Sequence, residues 1–194
     1  MGRIAGLSAE DTKKRLLEAA ADIFAESGYE GAKVSQIAKR AGMTTGAIYS
    51  HYENKGSLLC DAIREHGKTA LLNLLATVPG GSPLELLRIA GYQLPFKSPE
   101  DVALVIEAAV AARRDDELSH AIGSDVKLQE NFIKELLEDA QQKGEVSSSL
   151  PADAVAHLAM IIGLGSVITR ALKIEPPDSK SWEIVIDRLI ASIS

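Results

Sequence analysis

The residues with the clearest chemical purpose cluster in the first third of the chain. Thr44, Thr45, Gly46, Tyr49, Ser50 and His51 are small or hydrogen-bonding, and no acid interrupts them before Glu53. A helix that enters the major groove of a duplex needs this composition. Short polar side chains reach base edges, the backbone approaches closely, and no carboxylate repels phosphate. Lys55 stands at the expected start of the next helix, where its ammonium and unpaired backbone N–H groups can face a phosphate together. Plainer readings exist for single residues: Thr44 or Thr45 as an N-cap, Tyr49 and Tyr52 as packing residues with wet tips. The set taken together favours the groove.

Two short helices must present that set. Ser35–Ala41 and a segment from Thr44 or Thr45 to Tyr52 are separated by a turn too tight for side-by-side packing, so they cross steeply as a helix-turn-helix. Ala38 falls where the crossing helix comes close, and Gly42 where the turn wants positive φ. Ile37, Ala41, Met43 and Ile48 then point inward, onto a first helix marked by Leu16, Ala20, Ile23 and Phe24 between Ser8 and Gly28. A fourth helix, capped by Asn54 or Ser57, runs to about Leu75. Val78-Pro79-Gly80-Gly81-Ser82-Pro83 is the sharpest break; Ser82 opens a fifth helix and Ser98 a sixth, to about Arg114. A seventh spans about Glu117 to Lys143 with an interruption expected near Gly123-Ser124. An eighth runs from Pro151-Ala152-Asp153 to about Leu172, and Trp182 to Ile193 forms the last. Strand signals are nearly absent, so the expected class is all-α with about nine helices.

These segments resemble the N-terminal domain of the TetR/AcrR family of transcriptional regulators. The resemblance rests on Thr12–Ala20, Phe24–Tyr29 and Ile37–Leu59, above all Ala41-Gly42-Met43-Thr44-Thr45-Gly46-Ala47-Ile48-Tyr49. It covers roughly residues 10 to 60; the rest agrees only in helix number and order. It implies a homodimer in which residues 1–56 form the DNA-binding domain and 57–194 a helical domain that binds a small molecule and dimerises. Carried over by position, Thr44, Thr45 and Gly46 approach base edges or backbone, Tyr49 and His51 touch phosphates or a thymine methyl, and Lys55 holds a phosphate. Two departures stand out. Ala32-Lys33-Val34 replaces the usual Ser or Thr before the second helix, leaving Ser35 as the cap or Lys33 as a phosphate contact. Ser50 replaces a more usual aromatic.

The remaining charge and apolar pattern fits that division. Net charge is −6, yet through Cys60 basic residues exceed acidic ones by one, and the remainder carries −7. The asymmetry permits nucleic-acid binding by the first sixty residues. The eighth helix is apolar on nearly every side, so one face can meet its own core and the other a second subunit. Leu158, Ile161, Ile162, Gly165 and Ile168 there, with the stripe Trp182, Ile186, Leu189 and Ile193 on the last helix, are the expected dimer interface. Tyr92, Phe96, Val105, Ile106, Ala109, Phe132 and Met160 are the candidate lining of a cavity for an uncharged or hydrophobic ligand, each of them also suited to ordinary core.

Several classes are excluded. The single cysteine, Cys60, forms no internal disulfide and no cysteine-ligated metal site; it reads as a small buried residue or a redox sensor. No glycine-rich phosphate loop, nucleophile elbow or paired metal spacing is present, so no enzyme, cofactor or metal is expected. The uncharged stretch from Ala154 to Thr169 falls short of the roughly 20 residues that span a bilayer. A soluble, cytoplasmic regulator is the expectation. Its rivals are an enzyme and a helical binding protein that no longer reads DNA.

Overall fold

The computed structural model describes residues 8–78 and 80–193. Among them are nine α-helices and no strand: α1 (Ala9–Gly31), α2 (Val34–Ala41), α3 (Thr45–Tyr49), α4 (Lys55–Thr77), α5 (Pro83–Gln93), α6 (Pro99–Ala112), α7 (Asp116–Gln142), α8 (Ala152–Ala171) and α9 (Ser179–Ile193). A 3-10 turn, Leu94–Phe96, follows α5.

Local hydrogen bonds explain most of the boundaries. The Ser8 and Ser82 hydroxyls accept from the backbone N–H of Asp11 and Glu85, and Ser98 from that of Asp101. Each satisfies a donor that a helix start leaves orphaned. Asn54 Oδ1 does the same for Ser57 N–H at 2.8 Å, so Asn54 is the cap of α4. Thr44, not Thr45, caps α3. α7 runs unbroken through Gly123-Ser124. α9 begins three residues earlier than its apolar stripe suggests, because Asp178 accepts from Ser181 N–H.

The helices group into two compact units, one holding residues up to Ala70 with Ala103–Gly123, the other Leu71–Val102 with Ser124–Ser194. Compactness therefore divides the chain elsewhere than the 56/57 boundary. The first unit closes around Leu16, Phe24, Ile37, Ile48, Leu58 and Leu59, all nearly or fully inaccessible, joined by Leu104, Ala111 and Leu118. Cys60 lies in this core. The second unit has a smaller buried cluster, Leu84, Ala140 and Val146, flanked by Ile190 and Ile193.

In the second unit, α9 carries two apolar faces where one stripe was expected. Trp182, Ile186 and Ile193 turn inward: the Trp182 indole N–H donates to Gly91 O at 2.9 Å, and Ile186 packs where a Cβ on Gly91 would lie 2.9 Å from it. Within the single chain these three pack against their own unit, Ile186 buried and Trp182 and Ile193 half-buried. Ile184, Val185 and Leu189 face out instead, as do Leu158, Ile161, Leu164 and Ile168 on α8 and Leu172 at its C-cap. At 20 residues and a mean hydropathy of 1.6, α8 also reaches the length and composition of a membrane span, which the sequence reading placed just short.

Candidate nucleic-acid interface

The helix-turn-helix is built as the steric argument requires. Ala38 is 3% exposed at the crossing, and Gly42 takes φ 67, ψ 32, the left-handed C-cap of α2. Met43 N–H reaches back to Ala38 O at 2.8 Å, closing the turn. Ile37, Ala41 and Ile48 are buried, which leaves the opposite flank of α3 in solvent.

On that flank Thr44, Thr45, Gly46, Tyr49, Ser50 and His51 are all exposed; Tyr49 is 55% so. Part of their polarity is already spent. The Thr44 hydroxyl accepts from Ala47 N–H, and the Ser50 hydroxyl donates to Ala47 O. Gly46 is different. Nothing lies within 4 Å of where its Cβ would be, so the fold itself does not demand glycine there. Tyr52 separates from Tyr49: it is buried, and its hydroxyl bonds Asp61 Oδ2 at 3.1 Å. Burial, with the Asp61 charge beside it, pushes that phenol well above its ordinary pKa.

Three expectations about charge are corrected or extended. Lys55 does not face outward. Its ammonium donates to the carbonyls of Tyr29, Glu30 and Ala32 and lies 4.4 Å from the Tyr29 ring centroid. All three ammonium protons are thus engaged at the C-terminal end of α1, where the helix dipole favours a cation. Ser35 is no cap; it lies inside α2, whose N-cap position is Lys33, with Lys33 N–H donating to Gln36 Oε1 at 3.1 Å. Lys33 keeps an exposed ammonium, and Lys39 adds another that was not singled out. Lys39 stands four residues after Ser35, on the same exposed face of α2, and that spacing was the available signal.

Arg40, next to Lys39, is engaged within the head. Its guanidinium forms a two-pronged pair with Glu26, at 2.7 and 2.8 Å, tying α2 to α1. The hydrogen bonds from Arg40 hold the Glu26 carboxyl below its ordinary value of 4.5. A depressed carboxylate contributes stability that is complete above its unfolded pKa and fades as pH falls through the folded one. Glu26→Gln is therefore expected to lower stability at neutral pH, the gap from the native chain closing below the ordinary glutamate pKa. Urea titrations across that range check this.

Of the expected ligand residues, Val105, Ile106 and Ala109 belong to the first unit and Tyr92, Phe96, Phe132 and Met160 to the second. The two clefts described, about 170 Å³ between α1 and α4 and about 290 Å³ beside the end of α8, are lined by none of the seven. Phe96 and Ala109 are exposed, and Val105, Ile106, Phe132 and Met160 are half-buried. The Tyr92 hydroxyl bonds Asp187, which raises its pKa to about 12. The smaller cleft is lined partly by Glu18, Glu65 and His66, the larger partly by Arg170, Glu175 and Trp182.

Residues 16–62, which span this head, match the model of bacterial regulatory proteins of the tetR family. That head is the DNA-binding domain of a TetR-family transcriptional regulator. The family is one of DNA-binding, helix-turn-helix regulators rather than of enzymes. UidR, an HTH-type transcriptional regulator of Escherichia coli K12, is 25% identical over 157 residues, covering 81% of this chain and 80% of its own. A TetR-family regulator from Rhodococcus sp. superposes with a TM-score of 0.80 at 20% identity, covering 95% of this chain and 98% of that one. FadR of Bacillus subtilis, solved with stearoyl-CoA, gives 0.73 at 21% identity over 93% and 98%. Fold, helix order and head are thus shared with this family, as the sequence resemblance implied.

Proposed function

We propose that this TetR-family regulator is a cytoplasmic homodimeric repressor, released from a palindromic operator when a small hydrophobic molecule binds its C-terminal domain. Residues 1–56 read DNA, and 57–194 sense and dimerise. One observation carries the reading. A sterically closed helix-turn-helix leaves an exposed flank of hydroxyls, Tyr49 and a glycine for which the fold has no use. Such a glycine suits close approach by something outside the molecule.

Dimerisation places two such heads on successive major grooves, roughly 34–36 Å apart. Leu158, Ile161, Ile162, Gly165, Ile168 and Leu189 form the pairing face; four of these are large side chains half in water in the single chain. A surface this apolar suits a second copy of itself. The solved relative of this fold that holds stearoyl-CoA supports the small-molecule reading. A ligand that switches occupancy almost completely must prefer the released state by roughly 5 kcal/mol.

The test is selection of duplexes from a random pool, followed by affinity measurements with Gly46→Ala, Thr45→Ala, Tyr49→Ala and Lys33→Ala. Gly46→Ala is the sharpest variant. It has room in the free protein and gains roughly 1 kcal/mol of helix propensity, so its thermal stability holds or rises while operator affinity falls. Thr45→Ala and Tyr49→Ala alter sequence preference, whereas Lys33→Ala weakens all duplexes about equally and flattens the salt dependence. Unchanged operator affinity in all four sinks the assignment.

A further inference from the structure

The last turn of α1 is held from two sides by opposite charges. At Gly28 the backbone leaves the helical region (φ 71, ψ 163), so the chain restarts one turn at Tyr29. That restart orphans the Tyr29 N–H. Glu107, from α6 and 78 residues away in sequence, accepts it with Oε2 at 3.0 Å. The carbonyl of the same residue is taken by the Lys55 ammonium of α4. Tyr29 is thereby tied by its two backbone polar groups to two different helices. The fit is close: φ 71 favours glycine at position 28, and a Cβ there would stand 3.0 Å from Glu107 Oε2 and press on that carboxylate. Three residues on, buried Ala32 and then Lys33 lead directly into α2. Whatever sets the last turn of α1 sets where α2 begins.

We propose that Glu107 is a positioning residue for operator binding: its carboxylate, by holding the Tyr29 N–H, fixes the entry of α2 and so the presentation of α3. The hydrogen bond does this, not the bulk of the side chain. The proposal rests on the operator reading above and names α6 as an element that can loosen the head by withdrawing one acceptor.

The test uses the full chain with Glu107→Met, which keeps length but accepts nothing, and Glu107→Gln, whose amide oxygen still accepts. Amide exchange at Tyr29 and affinity for the selected duplex are measured together. Glu107→Met is expected to speed Tyr29 exchange and to weaken operator binding, each roughly tenfold, while Glu107→Gln stays within about twofold of the native chain. A native Tyr29 amide that exchanges like an unprotected one overturns the proposal, whether or not the variants fold. So does Glu107→Met binding as tightly as native, or Glu107→Gln failing as badly as Met. If the native chain recovers no duplex at all, the operator reading itself has failed; loss confined to the variant comparison leaves that reading intact.

Discussion

Replacing Ala38 by leucine is expected to abolish operator binding and to cost the head about 1–3 kcal/mol, at or above the upper end of that range. Ala38 is 3% exposed at the crossing of α2 and α3, and its carbonyl accepts the Met43 N–H that closes the turn. Three added heavy atoms have nowhere to go except by pushing the helices apart, which also moves the exposed flank of α3. Gly42, at φ 67, leaves the turn little freedom to absorb the shift. Denaturant melts and duplex-binding titrations of Ala38→Leu against Ala38→Gly decide the matter. The glycine variant keeps the crossing and is expected to retain binding. Leucine tolerated with unchanged stability and affinity would show that the crossing is not tight.

The second large effect is expected from charge placed on the outer face of α8. Leu158 and Ile161 are 57% and 53% exposed, so Leu158→Glu and Ile161→Glu change the fold of the single chain by no more than about 0.5 kcal/mol. In a dimer the same carboxylates lie opposite one another without water. Each variant is expected to sediment as a monomer with an unchanged melting profile. Operator affinity is expected to drop by roughly 10²–10⁴, because the second head no longer arrives tethered to the first. Analytical ultracentrifugation beside duplex binding separates the possibilities. A native chain that is already monomeric, or variants that remain dimeric, would reject this face.

What was legible in the sequence was what is local. Ser82-Pro83, Ser98 and Thr44 announce helix starts because a hydroxyl and its N–H partner lie three residues apart. The helix-turn-helix was legible because Ala38, Gly42 and the inward set lie within a dozen residues of one another and allow few geometries. Lys55 was misjudged because its partners lie 23–26 residues upstream, and no spacing rule links an ammonium to the end of a distant helix. Glu107 was invisible for the same reason. On α9, Trp182-Ile186-Ile193 and Ile184-Val185-Leu189 are both apolar, and which one turns inward depends on Gly91 of α5 leaving space for Ile186. The ligand residues were harder still. A cavity is a property of what side chains leave empty, and periodicity counts only what they fill.

The buried thiol of Cys60 has a consequence of its own. It is the chain's single sulfhydryl and sits in the wall of the head, 4% exposed, among the same side chains that hold the recognition helix in place. A maleimide cannot reach it without the head first coming apart. The molecule therefore carries an internal clock: each alkylated sulfur marks a head that has opened, with no second thiol on the chain to blur the record.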